Sequence, residues 1–212
     1  MTLIKEIEEV SIADQEPNFV NVRKNLIQVG FFSVSDVNNK EKRQEKIVRL
    51  NTFEDQGQIN QVEIIAPRKY GLPTTGDLTL YLAFQNLLQE KYVFHKQSLN
   101  NPVTFTSYEL LKRAALSFGP NNYEIIKKWM IRMKSTTVSF GRENAKFIGG
   151  EAVSVFDRTI FFKEKFDNGN PADANYVWLS DWEKENLVEN SLIPIDLKVY
   201  NQLKNNTAKT LI

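Results

Sequence analysis

The stretch from Val103 to Phe147 constrains the fold most, because it holds two helix starts, a breaker between them and a strand pattern behind them. Thr106-Ser107-Tyr108-Glu109 is a capping-box pattern: the Thr106 hydroxyl serves as cap and Glu109 reaches back three residues. Leu110, Leu111, Ala114 and Ala115 supply a short apolar face. Ser117-Phe118-Gly119-Pro120 then breaks the helix, since Gly accepts unusual dihedrals and Pro has no N–H to donate. Asn121-Asn122-Tyr123-Glu124 repeats the start signal, with Asn121 as cap and Glu124 as its partner. Two capped helices around a four-residue Gly-containing turn have the form of a helix-turn-helix.

At about 100° per residue, Tyr123, Ile126, Trp129, Met130 and Met133 fall on one side of the second helix and are expected to pack on the first. Asn121, Lys128 and Arg132 line the other side, flanked by Glu124, Lys127, Ile131 and Ser135. Amides and cations of this kind reach base edges and phosphates in a major groove. Thr136-Thr137-Val138-Ser139-Phe140 then switches to β-branched alternation, with Arg142 and Lys146 in the loop beyond. A recognition helix, a strand and a basic loop make a winged helix-turn-helix. Between Tyr108 and Lys146 there are eight cations and three acids, a local +5 in a chain whose total is +1.

Other classes are narrowed by what the chain lacks. Its 212 residues suffice for one large or two small domains, and its 42% hydrophobic and 25% charged content is ordinary for a soluble protein. No apolar run approaches the roughly 20 residues a membrane span needs, and the start of the chain is acidic, so the cytoplasm is the expected location. With no Cys and one His, His95, there is neither a thiolate zinc site nor a His pair. None of the nine glycines precedes Lys, as a phosphate-binding loop would require. Asp181 and Glu183 are read as part of a solvated acidic helix. The expectation is a protein without catalytic residues, metal or cofactor.

Along the chain, residues 1–22 read as a polar leader. Asn25 to Ser35 has strand character, and Asn38 to Arg49 is charge-dense. Ile47–Leu50 and Gln61–Ile65 read as a hairpin around Glu54-Asp55-Gln56-Gly57, making a small antiparallel sheet. Thr74-Thr75-Gly76-Asp77 opens a helix whose stripe of Leu78, Tyr81, Leu82, Phe84 and Leu88 suits a core element. Ala152–Phe156, Thr159–Phe162 and Tyr176–Leu179 read as strands and Asp181–Glu189 as a helix. Pro194-Ile195-Asp196 opens another helix carrying Leu197, Tyr200 and Leu203. The expected class is therefore α+β: a winged helix-turn-helix domain with an N-terminal sheet over residues 23–192.

Gly71-Leu72-Pro73 ahead of Asp77 and a leucine-rich helix resembles the plasmid replication initiator protein A family. So do Tyr108 through Arg113 followed by Leu116-Ser117 and Asn122-Tyr123, and the run from Ile131 to Val138. The likeness covers roughly residues 60 to 200. It implies an initiator that binds repeated double-stranded sites at a plasmid origin and helps open the duplex for host replication proteins. Related initiators carry two tandem winged helices, so residues 193–212 look like the start of a second, and dimerisation is a further expectation.

On this reading Asn121, Asn122, Lys128 and Arg132 read bases or adjacent phosphates. Lys127, Lys134, Arg142 and Lys146 neutralise the backbone, and Lys112 and Arg113 touch phosphate from the first helix. A transcriptional repressor would use the same residues. A winged helix serving dimerisation or protein interaction would not need them.

Overall fold

The computed structural model describes residues 19–23, 26–27, 30–33, 46–55, 58–94, 99–142, 152–166, 169, 172–188, 192–203 and 209. Its axis is helix α1 (Thr75–Leu88). The helix starts on a reciprocal cap: Asp77 N–H donates to the Thr74 hydroxyl, and the Asp77 carboxylate accepts from Thr74 N–H at 2.6 Å. Thirteen of its fourteen residues are buried, so the expected stripe widens to the whole circumference. Its polar side chains must then find partners inside. Gln85 and Tyr81 both donate to the Glu183 carboxylate, at 2.6 and 2.8 Å, and Thr79 bonds the Tyr200 hydroxyl. Glu183 is buried, and the solvated acidic helix expected around it is instead one that docks through its acid.

Three antiparallel sheets surround α1. Strands β2 (Lys46–Asp55) and β3 (Gln58–Pro67) form the expected hairpin, in register from Lys46↔Pro67 to Asp55↔Gln58. β5 (Thr137–Arg142) pairs with β3, and β6 (Ala152–Val153) closes the order β2–β3–β5–β6. A second sheet runs β4 (Val103–Phe105), β8 (Asn175–Leu179), β7 (Phe156–Ile160). In β8, Asn175, Val177 and Leu179 point inward at period two. The third sheet pairs β1 (Phe19–Arg23) with β9 (Leu192–Asp196).

Three expectations change here. The strand expected over residues 25–35 is absent among the described residues: Leu26 and Ile27 are helical, and Ser33 makes only a single bridge, to Thr74. Its apolar side chains Leu26, Phe31 and Phe32 fill the core without a ladder partner. β5, expected to begin a wing, belongs to the hairpin sheet, because its β-branched face extends β3 from Ile65↔Thr137 to Asn60↔Arg142. Finally, residues 192–203 are not set apart as the start of a second domain. β9 pairs with a strand that begins inside the expected leader, and Val20 and Ile195 are buried. Helix α5 (Leu197–Gln202), capped by Asp196, buries Leu197 and Tyr200 in the same core. Burial pushes the Tyr200 phenol up to about 12, although its bond with Thr79 works the other way.

Helix α4 (Asp181–Val188) follows β8, and α2 (Ser107–Arg113) and α3 (Pro120–Ser135) follow β4. The Thr106–Glu109 capping box forms as expected. α2 ends earlier than the Gly-Pro breaker, however: Ala115 N–H reaches Lys112 O at 3.2 Å and Leu116 N–H reaches Leu111 O at 3.0 Å. That is a Schellman end, with Ala115 at φ 52°, where glycine is usual. Ala115→Gly is expected to stabilise the protein by up to about 1 kcal/mol, read as a raised urea midpoint at unchanged slope. α3 starts at Gly119 with Pro120 in its first turn and no side-chain cap, so Asn121 is not the cap and Glu124 does not pair with it. Proline explains the shift, since its fixed φ and missing N–H suit the first helical position.

Candidate nucleic-acid interface

Four of the five residues expected on the inner side of α3 are buried: Ile126, Trp129, Met130 and Met133. Tyr123 is the exception, at 45% exposed. It lies six residues, nearly two turns, before the buried Trp129, in the first turns of α3. The opposite side leaves Asn121, Glu124 and Lys128 exposed, and Lys134 is exposed in the last turn. Lys112 is exposed at the end of α2.

The remaining expected contacts are committed elsewhere. Arg132 turns toward α1, and its Nη2 donates to Asp77 Oδ1 at 2.7 Å, with 15% and 1% of the two side chains exposed. Arg113 pairs with Glu90 and donates to Asn86 Oδ1 at 2.7 Å, tying α2 to α1. Asn122 Nδ2 donates to Ser117 O at 2.6 Å and so holds the turn. Lys127 pairs with Glu164 at 3.1 Å and lies 4.9 Å from the Phe161 ring centre. Arg142 lies at the end of β5, its side chain outside the described residues, as are Lys146 and His95. Of eight cations in the basic stretch, three thus spend their charge on carboxylates within the fold. The free-standing cations of this face are fewer than a count along the chain suggests.

A second contributor was not foreseen. The segment joining β7 to β8 stands beside α3, held by Lys127–Glu164 and by Asn175, which accepts from Phe162 N–H and donates to Ser107. It brings Lys163, at φ 67°, with its Nζ 5.2 Å from the Phe162 ring centre. Between it, the start of α2 and the first turns of α3 opens a cavity of about 610 Å³. Tyr108, Tyr123, Phe161, Phe162, Lys127 and Lys163 line it, with Glu124 and Asp173. The signal available in the sequence was the pair of aromatics Phe161-Phe162 followed by Lys163, between two strands.

Electrostatics at the start of α2 are set by its cap. Burial opposes ionisation of Glu109, but the Thr106 hydrogen bonds and the charges of Lys91 and Arg113 outweigh it and hold the carboxyl below the usual range. At the cavity rim the Tyr176 hydroxyl donates to Asp173, which raises the phenol, as does its partial burial. Among the described residues no acid, His or Cys cluster has the form of a metal site, and no helix is long and apolar enough to cross a membrane.

These features define an α+β protein of small antiparallel sheets that presents a cation-bearing helix beside an aromatic cleft. The chain belongs to the replication initiator protein A family, whose model matches residues 23–211. No curated protein sequence matches it. A crystal structure of domains 2 and 3 of RctB, as selenomethionine derivatives, has a similar fold, with a TM-score of 0.53 at 12% identity. That match covers 82% of this chain and 60% of the RctB chain. A second structure of the same RctB domains gives 0.49 at 13% identity, over 80% of this chain and 62% of that one. The chain therefore spans less than two thirds of the length of either RctB structure.

Proposed function

We propose that this protein is a plasmid replication initiator that binds repeated duplex sites at its origin through the exposed side of α3, with no chemical step of its own. Membership of an initiator family supports the process. For the DNA contact, the carrying observation is that Asn121, Lys128 and Lys134 project from a helix whose other side is anchored by buried Trp129. A rigid helix with free amide and ammonium groups is what major-groove readout requires. The order α1, β4, α2, α3, β7, β8, with β5 and β6 set between α3 and β7 as part of the hairpin sheet, and the sheet order β4–β8–β7 support reading the unit as a winged helix. Its wing is then the segment between β7 and β8, with Lys163, and not the residues after β5. Host replication proteins and a second copy of the chain are the partners such an initiator would engage.

Fluorescence anisotropy over a range of salt concentrations tests this, using duplex repeats from the replicon's own origin against a scrambled duplex. Lys128→Ala is expected to remove roughly 5- to 150-fold of the preference for the repeats. Lys163→Ala is expected to weaken both duplexes alike and to reduce the salt slope by about one. Sequence-blind binding by the native chain, unchanged in Lys128→Ala, would leave a protein-interaction module instead.

A further inference from the structure

We infer that the cleft between α3 and the β7–β8 segment holds an unpaired nucleobase, so that the protein engages single-stranded DNA beside the duplex it reads. This rests on the reading of α3 as a DNA-binding helix, and it adds a second ligand state at its flank. Among the described residues six large hydrophobic side chains are exposed; Tyr108 (54%), Tyr123 (45%) and Phe162 (51%) line this cleft, and Phe118 (53%) stacks on Tyr108 beside it. All four are aromatic, whereas the two found elsewhere, Ile125 and Val199, are aliphatic. A groove for an amphipathic peptide would be lined by flexible aliphatic and Met side chains. Exposed flat rings suit a flat ligand.

The rings are already arranged for stacking. Tyr108 and Phe118 lie 4.7 Å apart at 19°, a stack that a base can extend. Lys163 Nζ lies 5.2 Å from the Phe162 ring centre, so a cation stands beside the rings where a phosphate joining successive bases would pass. Aromatic faces combined with backbone-tracking cations are the recurring means of holding single strands. Glu124 and Asp173 at the same cavity disfavour a purely anionic ligand. The volume of about 610 Å³ accommodates a nucleotide and not a duplex.

The test uses the full chain with fluorescein-labelled (dT)20 and, in parallel, the paired origin repeats. The native protein is expected to bind (dT)20, with Tyr123→Ala and Tyr108→Ala each weakening it by roughly 5- to 150-fold while leaving the paired repeats unaffected. Tyr123→Phe keeps the ring and is expected to retain binding, which separates stacking from the hydroxyl. Lys128→Ala should show the opposite pattern, losing repeat preference and keeping (dT)20. Repeats bound but (dT)20 ignored would overturn the inference and leave the duplex reading standing. Undiminished (dT)20 binding by both alanine variants would also overturn it, since the strand would then lie elsewhere. Failure to bind either DNA would overturn both readings.

Discussion

Asp77→Ala is expected to destabilise the protein by about 3–5 kcal/mol, because it strands a largely buried guanidinium as well as removing a helix cap. One Asp77 oxygen takes the Thr74 N–H and hydroxyl, at 2.6 and 2.9 Å, and the other takes Arg132 at 2.7 Å. The carboxylate is thus the joint between the start of α1 and the last turns of α3. At 2–4 °C per kcal/mol for a chain of this size, the loss corresponds to a fall in Tm of roughly 6–20 °C. Arg132→Met with Asp77→Asn is expected to recover much of it, since a buried pair removed together leaves no uncompensated charge. Thermal unfolding followed by circular dichroism checks both. A loss below about 1 kcal/mol in Asp77→Ala, joined to an altered base preference in Arg132→Met, would return Arg132 to the DNA-reading role its position along α3 suggests.

The second large effect is expected at Trp129. Its ring meets Phe84 of α1 at 5.7 Å, Phe105 of β4 at 6.4 Å and Phe156 of β7 at 5.5 Å, each edge to face. Truncation to Ala removes the largest fully buried side chain and leaves a cavity that three separate elements would have to collapse into, at a cost of about 3–5 kcal/mol. Edge-to-face pairs add to the area term, by roughly 0.5–1.5 kcal/mol each. Urea unfolding should show a lower midpoint, and near-UV circular dichroism should lose the signal of a fixed indole. Because α3 is held to the sheet through this ring, Trp129→Ala should also weaken origin binding while Lys128 is untouched. A variant as stable as the native chain would mean that α3 is anchored by Ile126, Met130 and Met133 without the indole.

The local signals were legible because their causes are local. The Thr106/Glu109 capping box and the helix start at Thr74–Asp77 need only residues three apart, and both form, whereas the expected Asn121/Glu124 box gives way to Pro120. The β2–β3 hairpin follows from two strand patterns around a Gly turn, and the buried stripe of α3 from a 3.6-residue period. Even there the period misplaced Tyr123, since it tells which side faces inward but not where the neighbouring elements end.

What the tertiary structure alone decided is which distant residue each side chain and strand edge meets. Arg132 lies on the flank of α3, and its direction depends on Asp77, 55 residues away. β5 has strand chemistry in either arrangement, but period two names no partner, and only packing assigns it to β3 and leaves the β7–β8 segment beside α3. The helix capped by Asp196 shows its start in the sequence, although Pro194 and Ile195 before it are strand, and its membership of this core rests on β1, more than 170 residues earlier. Chain-local chemistry determined where elements begin and what they bury, and non-local pairing, invisible to any window, determined which cations remain free to meet a ligand.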